Sequence, residues 1–315
     1  MMFEPSNSII ELFGCDGSYF VIHGQGAGDQ GVYLGKGQAE GLYDAPVKTQ
    51  WRSSAHEIGG KHKKTSYLVR ELELGFHVLG TDVEAAQNES DLRKAFDYSE
   101  DPWDDDAVQA KLTWTIETAD NSSSRSLDVL LSDTPEMKME VDPRTLDETG
   151  YFNLVLPLSA GQPMWYEPSV TTVFSSTATS ASGTITVSNP TDRPMAHKFI
   201  CTRATWVLPD PSWRGRRYLR APGGPYPSRT VTLPALTSTD GGAVVDLDPM
   251  QLNVRSANGT NLLGRMPVVG SYFMHVIPPY TPPTQLPVSY TGAPAGGAMV
   301  QCVQPRLWSR PWGLE

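Results

Sequence analysis

The amino-acid sequence predicts a mainly β protein with a minor α component: an α+β domain over residues 1–160, then a β-sandwich over residues 161–315. Three observations carry that reading. Apolar and polar residues alternate through several stretches of the first half, as in strands buried on one face. From about residue 168 onward no ten-residue segment keeps a helical period free of Gly or Pro. The chain holds 26 Pro in 315 residues, about 8% against a usual ~5%, which favours turns and strand edges over long helices. At roughly 100–200 residues per domain the length suits two domains.

Taken in order, Tyr19 to Ile22 is a short apolar run suited to a strand, and a glycine-rich stretch succeeds it. Over Tyr67 to Gly80 (YLVRELELGFHVLG) the residues Leu72, Leu74, Phe76 and Val78 share one side, with Glu71, Glu73, Gly75 and His77 on the other. This is the period-two pattern of a half-buried strand. Thr81 with Glu84 three residues on forms a capping box, and Arg93 and Lys94 come late, so a helix is expected over 82–97. Its apolar positions Ala85, Leu92, Ala95 and Phe96 would lie against the sheet, and Pro102 bars continuation. The alternation returns at Leu112, Trp114 and Ile116, and again at Phe152, Leu154, Leu156 and Leu158. The turn-rich SAGQPMWYEP, Ser159 to Pro168, marks the domain boundary. Beyond it GTITVSN, SRTVTLP, GAVVDLD, QLNVRS, SYFMHVI and AMVQCVQ read as the short strands of a sandwich.

The net charge of −10 makes the whole molecule a poor partner for nucleic acid or an anionic membrane. That average hides a split: residues 1–158 carry −15 and residues 159–315 carry +5, so the two halves are expected to meet different neighbours. The chain has no apolar run of about 18 residues and no secretory leader pattern at its start, which predicts a soluble protein made in a cytosol. Its three cysteines, Cys15, Cys201 and Cys302, are far apart in sequence and odd in number, and are expected to act as small buried hydrophobes.

Several motifs invite a chemical reading and fail it. Gly26-Ala-Gly28-Asp-Gln-Gly31 satisfies G-x-G-x-x-G, but the residues after it include more glycines and Pro46 where a helix N-terminus would have to hold a pyrophosphate. Gly35-Lys36 lacks the glycine and the hydroxyl of a phosphate loop. His56-Glu57 has its second histidine, His62, six residues on instead of four, with Gly59-Gly60 between. His23, His77, His197 and His275 stand at no ligand spacing. The acidic run from Glu100 to Asp106 lacks the calcium-loop pattern and reads as a solvated loop. No G-x-S-x-G elbow or Cys/His nucleophile context is present, and nothing selects a pair of carboxylates. No catalytic, cofactor or metal residues are therefore assigned. The one basic and aromatic cluster is Trp213, Arg214, Arg216, Arg217 and Arg220, whose planar cations suit contact with acidic side chains of a neighbouring subunit.

The order of these segments resembles the distal tail proteins, also named minor tail proteins, of long-tailed bacteriophages of actinobacterial hosts. The likeness rests on GLYDAPVKTQWRSSAHEIGGKHKKTSYLVRELELGFHVLG leading into the helix, on VSNPTDRPMAHKF, VVDLDPMQLNV and SYFMHVIPPYTPP, and on the terminal LWSRPWGLE. The resemblance implies an N-terminal ring-forming (belt) domain and a C-terminal galectin-like β-sandwich. It implies a homohexameric ring joining the tail tube protein above to tail tip or baseplate hub proteins and tape measure below or inside. DNA would pass through the lumen, and the protein would be a virion component assembled in the host cytoplasm, with no enzymatic activity and no cofactor. Rival readings are a carbohydrate-binding adhesin using the same sandwich and, behind it, a glycosidase. On the hub reading the acidic half would line the lumen, since Lys or Arg facing the channel would slow DNA. The segment 24–41 would then be a loop ordered only by an adjacent ring.

Overall fold

A computed structural model describes residues 7–53, 56, 58–117, 122–135 and 150–315. Two compact units form: Met1–Tyr166 with Ser309–Gly313, and Glu167–Trp308 with Leu314–Glu315.

The first unit contains β1 (Asn7–Phe13), β2 (Tyr19–His23), β3 (Val32–Glu40), β4 (Val47–Arg52), β5 (Lys61–Tyr67), β6 (Arg70–Gly80), helix α1 (Asp82–Lys94), β7 (Ala110–Glu117), β8 (Ser122–Leu131) and β9 (Gly150–Ala160). Antiparallel pairing runs β2-β1-β7-β8-β9-β6-β3. The alternation in β6 does what its sequence predicts: Leu72, Leu74, Phe76 and Val78 are buried and Glu71 and Glu73 exposed. Their partners Leu154, Leu156 and Leu158 in β9 are buried opposite them; the side chain of Phe152 lies outside the described residues. Each such side chain removed from water contributes roughly 1.5–3 kcal/mol.

Helix α1 and the two residues after it close one side of this core through Ala85, Leu92, Ala95 and Phe96, all buried. The Glu84 carboxylate accepts the Thr81 amide at 3.1 Å, the back half of the capping box. The helix ends three residues earlier than the sequence pattern suggests, with Ala95 as its C-cap. There the Ala95 carbonyl turns to accept the Cys15 amide at 2.9 Å, so the chain leaves the helix to pair with the β1–β2 turn. Cys15 itself is half-buried, not buried, and its thiol donates to the Lys94 carbonyl at 3.4 Å.

The glycine-rich segment also departs from expectation. Residues 24–31 form a loop, but 32–40 are β3, registered on β6 through Val32↔Val78 and Leu34↔Phe76. The chain's own sheet orders this stretch, and a register shift between Leu34 and Ala39 absorbs the interrupting Gly35 and Gly37. The loop itself is tied down by turn hydrogen bonds and by the Gln30 side chain accepting the Val21 amide at 3.0 Å. At Gly31 φ is +72° and a Cβ would lie 2.0 Å from the Asn88 amide nitrogen, so only glycine fits.

The second unit contains β10 (Trp165–Ser176, its first two residues within the first unit), β11 (Ala181–Asn189), β12 (Lys198–Cys201), β13 (Thr205–Pro209), β14 (Trp213–Arg214), β15 (Ala221–Pro222), β16 (Thr230–Thr232), β17 (Ala243–Asp246), β18 (Val254–Ser256), β19 (Thr281–Thr291) and β20 (Ala298–Trp308). One sheet orders them β10-β20-β12-β17-β18, the other β11-β19-β13-β16. Inward residues of both, among them Val187, Phe199, Trp206, Val245, Val288 and Val300, share one core, which makes the unit a β-sandwich. Trp206 packs 4.8 Å from the Tyr290 ring, and its indole N–H donates to the Thr202 carbonyl at 2.8 Å. Cys201 and Cys302 are buried in this core, and burial pushes the Cys302 thiol up to about 12.

Candidate functional site

The predicted basic cluster forms a small hairpin, β14 with β15, in the second unit. The tight return between its strands puts Tyr218 at φ +64°. The structure brings these side chains together but engages several of them within the chain. Trp213 is half-buried against the sandwich core. Arg217 lies over the Tyr280 ring at 4.9 Å, and Arg220 donates to the Pro279 carbonyl. Arg214 and Arg216 are exposed. The cluster is thus a shaped cationic lip anchored to Pro279 and Tyr280.

The remaining sequence motifs disperse. His62 is in β5, bonded to Thr65 at 2.8 Å and edge-on to Trp51 at 5.4 Å, while His56 is in a turn and Glu57 lies outside the described residues. His77 is held by Tyr33 and Tyr151 on the first-unit sheet. Among the described residues no three His, Cys, Asp or Glu side chains converge on one point. The G-x-G-x-x-G loop and α1 border an open cleft of about 750 Å³ whose lining includes Asp16, Asp29, Glu84 and Asp91. Such a lining repels a pyrophosphate.

Two polar assemblies escaped the sequence reading. In the second unit the buried carboxylate of Asp210 accepts the Met274 and His275 amides, at 3.1 and 2.9 Å, and pairs with Arg229. The Asp210 carbonyl meets the His275 ring at 2.9 Å, and partial burial followed by the Arg229 charge holds that imidazole below its ordinary pKa. In the first unit two arginines are almost wholly buried, and each ends on backbone carbonyls. Arg70 donates to Pro163 at 2.8 Å, Gly41 at 3.1 Å and Leu42 at 2.8 Å. Burial lowers its pKa to about 10, and Asp44 opposes that. Arg125 donates to the carbonyls of Arg310 and Gly313, both at 3.0 Å.

These bonds explain the terminal Trp-Ser-Arg-Pro-Trp-Gly. Ser309 accepts the Ala45 amide at 2.9 Å, Arg310 pairs with Asp44 at 2.5 Å, and Trp312 sits edge-on to Tyr43 at 6.1 Å. Tyr43 is edge-on to Trp114 as well. The segment Ser309–Gly313 is therefore a latch on the first unit, held by the loop after β3 and by Arg125 of β8. Arginines donating to carbonyls about 185–239 positions away in sequence leave no local signature that could have revealed them.

No known protein-family model matches the chain. Among curated proteins it is 25% identical, over 356 aligned positions covering 98% of this chain and 99% of the relative, to Minor tail protein Gp27 of Mycobacterium phage D29. Over 358 positions, with the same coverage, it is 25% identical to Minor tail protein Gp27 of Mycobacterium phage L5. Among solved structures it is similar to the SPP1 Dit (gp 19.1) protein, described as a paradigm of the hub adsorption apparatus in phages infecting Gram-positive bacteria. That match has a TM-score of 0.50 at 12% identity and covers 96% of this chain and 99% of the other.

Proposed function

We propose that this chain is a structural virion protein at the distal end of a long phage tail, where copies of it close into a ring that joins tail tube to tail tip. The observation that carries this is the end-to-end match to minor tail proteins, in which neither chain has a large part left over. The mainly β fold shared with the Dit hub protein supports it at the level of architecture. On this reading residues 1–160 form the ring and residues 161–315 project a galectin-like sandwich. Six copies surround a lumen through which DNA leaves, and the tube, the tip proteins and the tape measure are the neighbours. The work is mechanical, without substrate turnover.

Charge gives the ring a physical rationale. A lumen wall drawn from the half carrying −15 repels phosphates and displaces no counterions from a passing genome. The cationic lip of Trp213, Arg214, Arg216, Arg217 and Arg220 is on the half carrying +5, where it suits an acidic neighbour. Gold-labelled antibody against the protein should decorate one end of purified tails, and native mass spectrometry of the purified protein should give closed rings. Labelling of capsids, or no labelling of virions, would reject the proposal.

A further inference from the structure

The hairpin of β4 and β5 has no core of its own. All six residues of β4 are exposed, as are six of the seven in β5, and among the described residues the two strands pair only with each other. An isolated two-stranded hairpin is marginal in water, and each of its edges offers unpaired N–H and C=O groups to another chain. Ile58, near the turn, is fully exposed, and Trp51 is 64% exposed. Residues 47–67 hold Lys48, Arg52, Lys61, Lys63 and Lys64 against the single acid Glu57, within the half that carries −15. The ion pairs among the described residues use none of Lys48, Arg52, Lys63 or Lys64.

A surface of opposite chemistry lies in the same unit. Between α1 and β7 the carboxylates of Asp97, Glu100, Asp101, Asp104, Asp105 and Asp106 are exposed around Trp103, which is 92% exposed. Asp101 accepts the Trp103 amide at 2.9 Å and Asp104 accepts the Asp106 amide at 3.0 Å, so the loop holds its shape before any partner arrives. An acidic rim around an exposed Trp is the counterpart of a basic arm carrying another.

We infer that the β4–β5 arm of one copy seats on the 97–106 loop of a second copy, with its lysines over the carboxylates. The inference rests on the ring reading above and names its joint. The two surfaces differ, so the contact is head-to-tail and closes a ring when repeated at a fitting rotation. A second copy is favoured as occupant because its 97–106 loop offers both the carboxylates and the exposed Trp103 that match the arm's lysines and Trp51.

The test uses the full chain, with self-association followed by light scattering at several concentrations in low and high salt. One variant combines Lys48→Glu, Lys63→Glu and Lys64→Glu; another combines Asp104→Lys, Asp105→Lys and Asp106→Lys. Each should weaken association at least about tenfold, and one chain carrying all six changes should recover most of it. All the changed positions are exposed, so melting temperatures should hold and a folding defect would be visible separately. Because Asp104→Lys also removes the acceptor of the Asp106 amide, Asp105→Lys with Asp106→Lys alone, which leaves that bond in place, should weaken association in the same direction. Association unchanged in both triple variants, or a wild-type protein that is monomeric at every concentration in low salt, overturns the inference. So does an arm variant that loses affinity for a DNA duplex while still associating. Rings that persist in both variants, with the protein present in purified tails, would sink the joint and leave the tail assignment standing; absence from tails would sink that assignment whatever the variants do.

Discussion

His197 is one group through which the sandwich responds to acid. It is buried against Phe199, ring to ring at 5.0 Å, and burial pushes its pKa down to about 4. The unfolded chain takes up a proton near pH 6.5 that the folded chain refuses, so stability is complete above pH 6.5 and falls as the pH drops towards 4. The loss reaches roughly 3 kcal/mol at its limit. Urea titrations at pH 7.5 and pH 4.5 should show this decline in the wild type and a smaller one in His197→Gln. Equal declines would place the acid sensitivity elsewhere. Some residue-level features are open to a reader of the sequence, others closed. Ala85, Leu92, Ala95 and Phe96 reveal themselves by helical spacing, which is local. Arg70 and Arg125 look like surface cations, because the carbonyls that hold them come from distant turns.

Among the elements, β6 carries the most weight in the first unit, flanked by β3 and β9 with α1 across it. Leu74, wholly buried there, is a sharp probe. Replacing it with Ala should cost about 2–5 kcal/mol in chemical denaturation, while Glu73→Ala on the exposed face should change stability by well under 1 kcal/mol. Similar small losses at both positions would mean the strand is not packed on its apolar side. The element was legible because burial on one face writes a period of two into the sequence. The β4–β5 hairpin shows the converse: with neither face buried, its residues carry no such period. The helix end was misjudged because its stop comes from Cys15, a tertiary partner, well before Pro102. Gly35 and Gly37 disguised β3, whose pairing depends on β6 more than on its own composition.

On the scale of the molecule, composition and order foretold a β-rich chain, but not that Ser309–Gly313 return to the first unit. Removing residues 309–315 should strip Arg125 of two carbonyls and Tyr43 of its Trp312 neighbour. Each charge-assisted hydrogen bond lost from a buried guanidinium costs roughly 1.5–3 kcal/mol. Differential scanning calorimetry should therefore show a first-unit transition at distinctly lower temperature in the truncated chain. An unchanged transition would make the latch ornamental.

The latch also has a consequence in time. A ribosome adding about 5–20 residues per second needs roughly 7–30 s to go from Tyr166 to Ser309. Throughout that interval the nascent first unit holds Arg125 without the carbonyls that later satisfy it. Its closure waits until the strands of the second unit have been made, and a chain cut short before Ser309 carries an unsealed first unit for proteases to find.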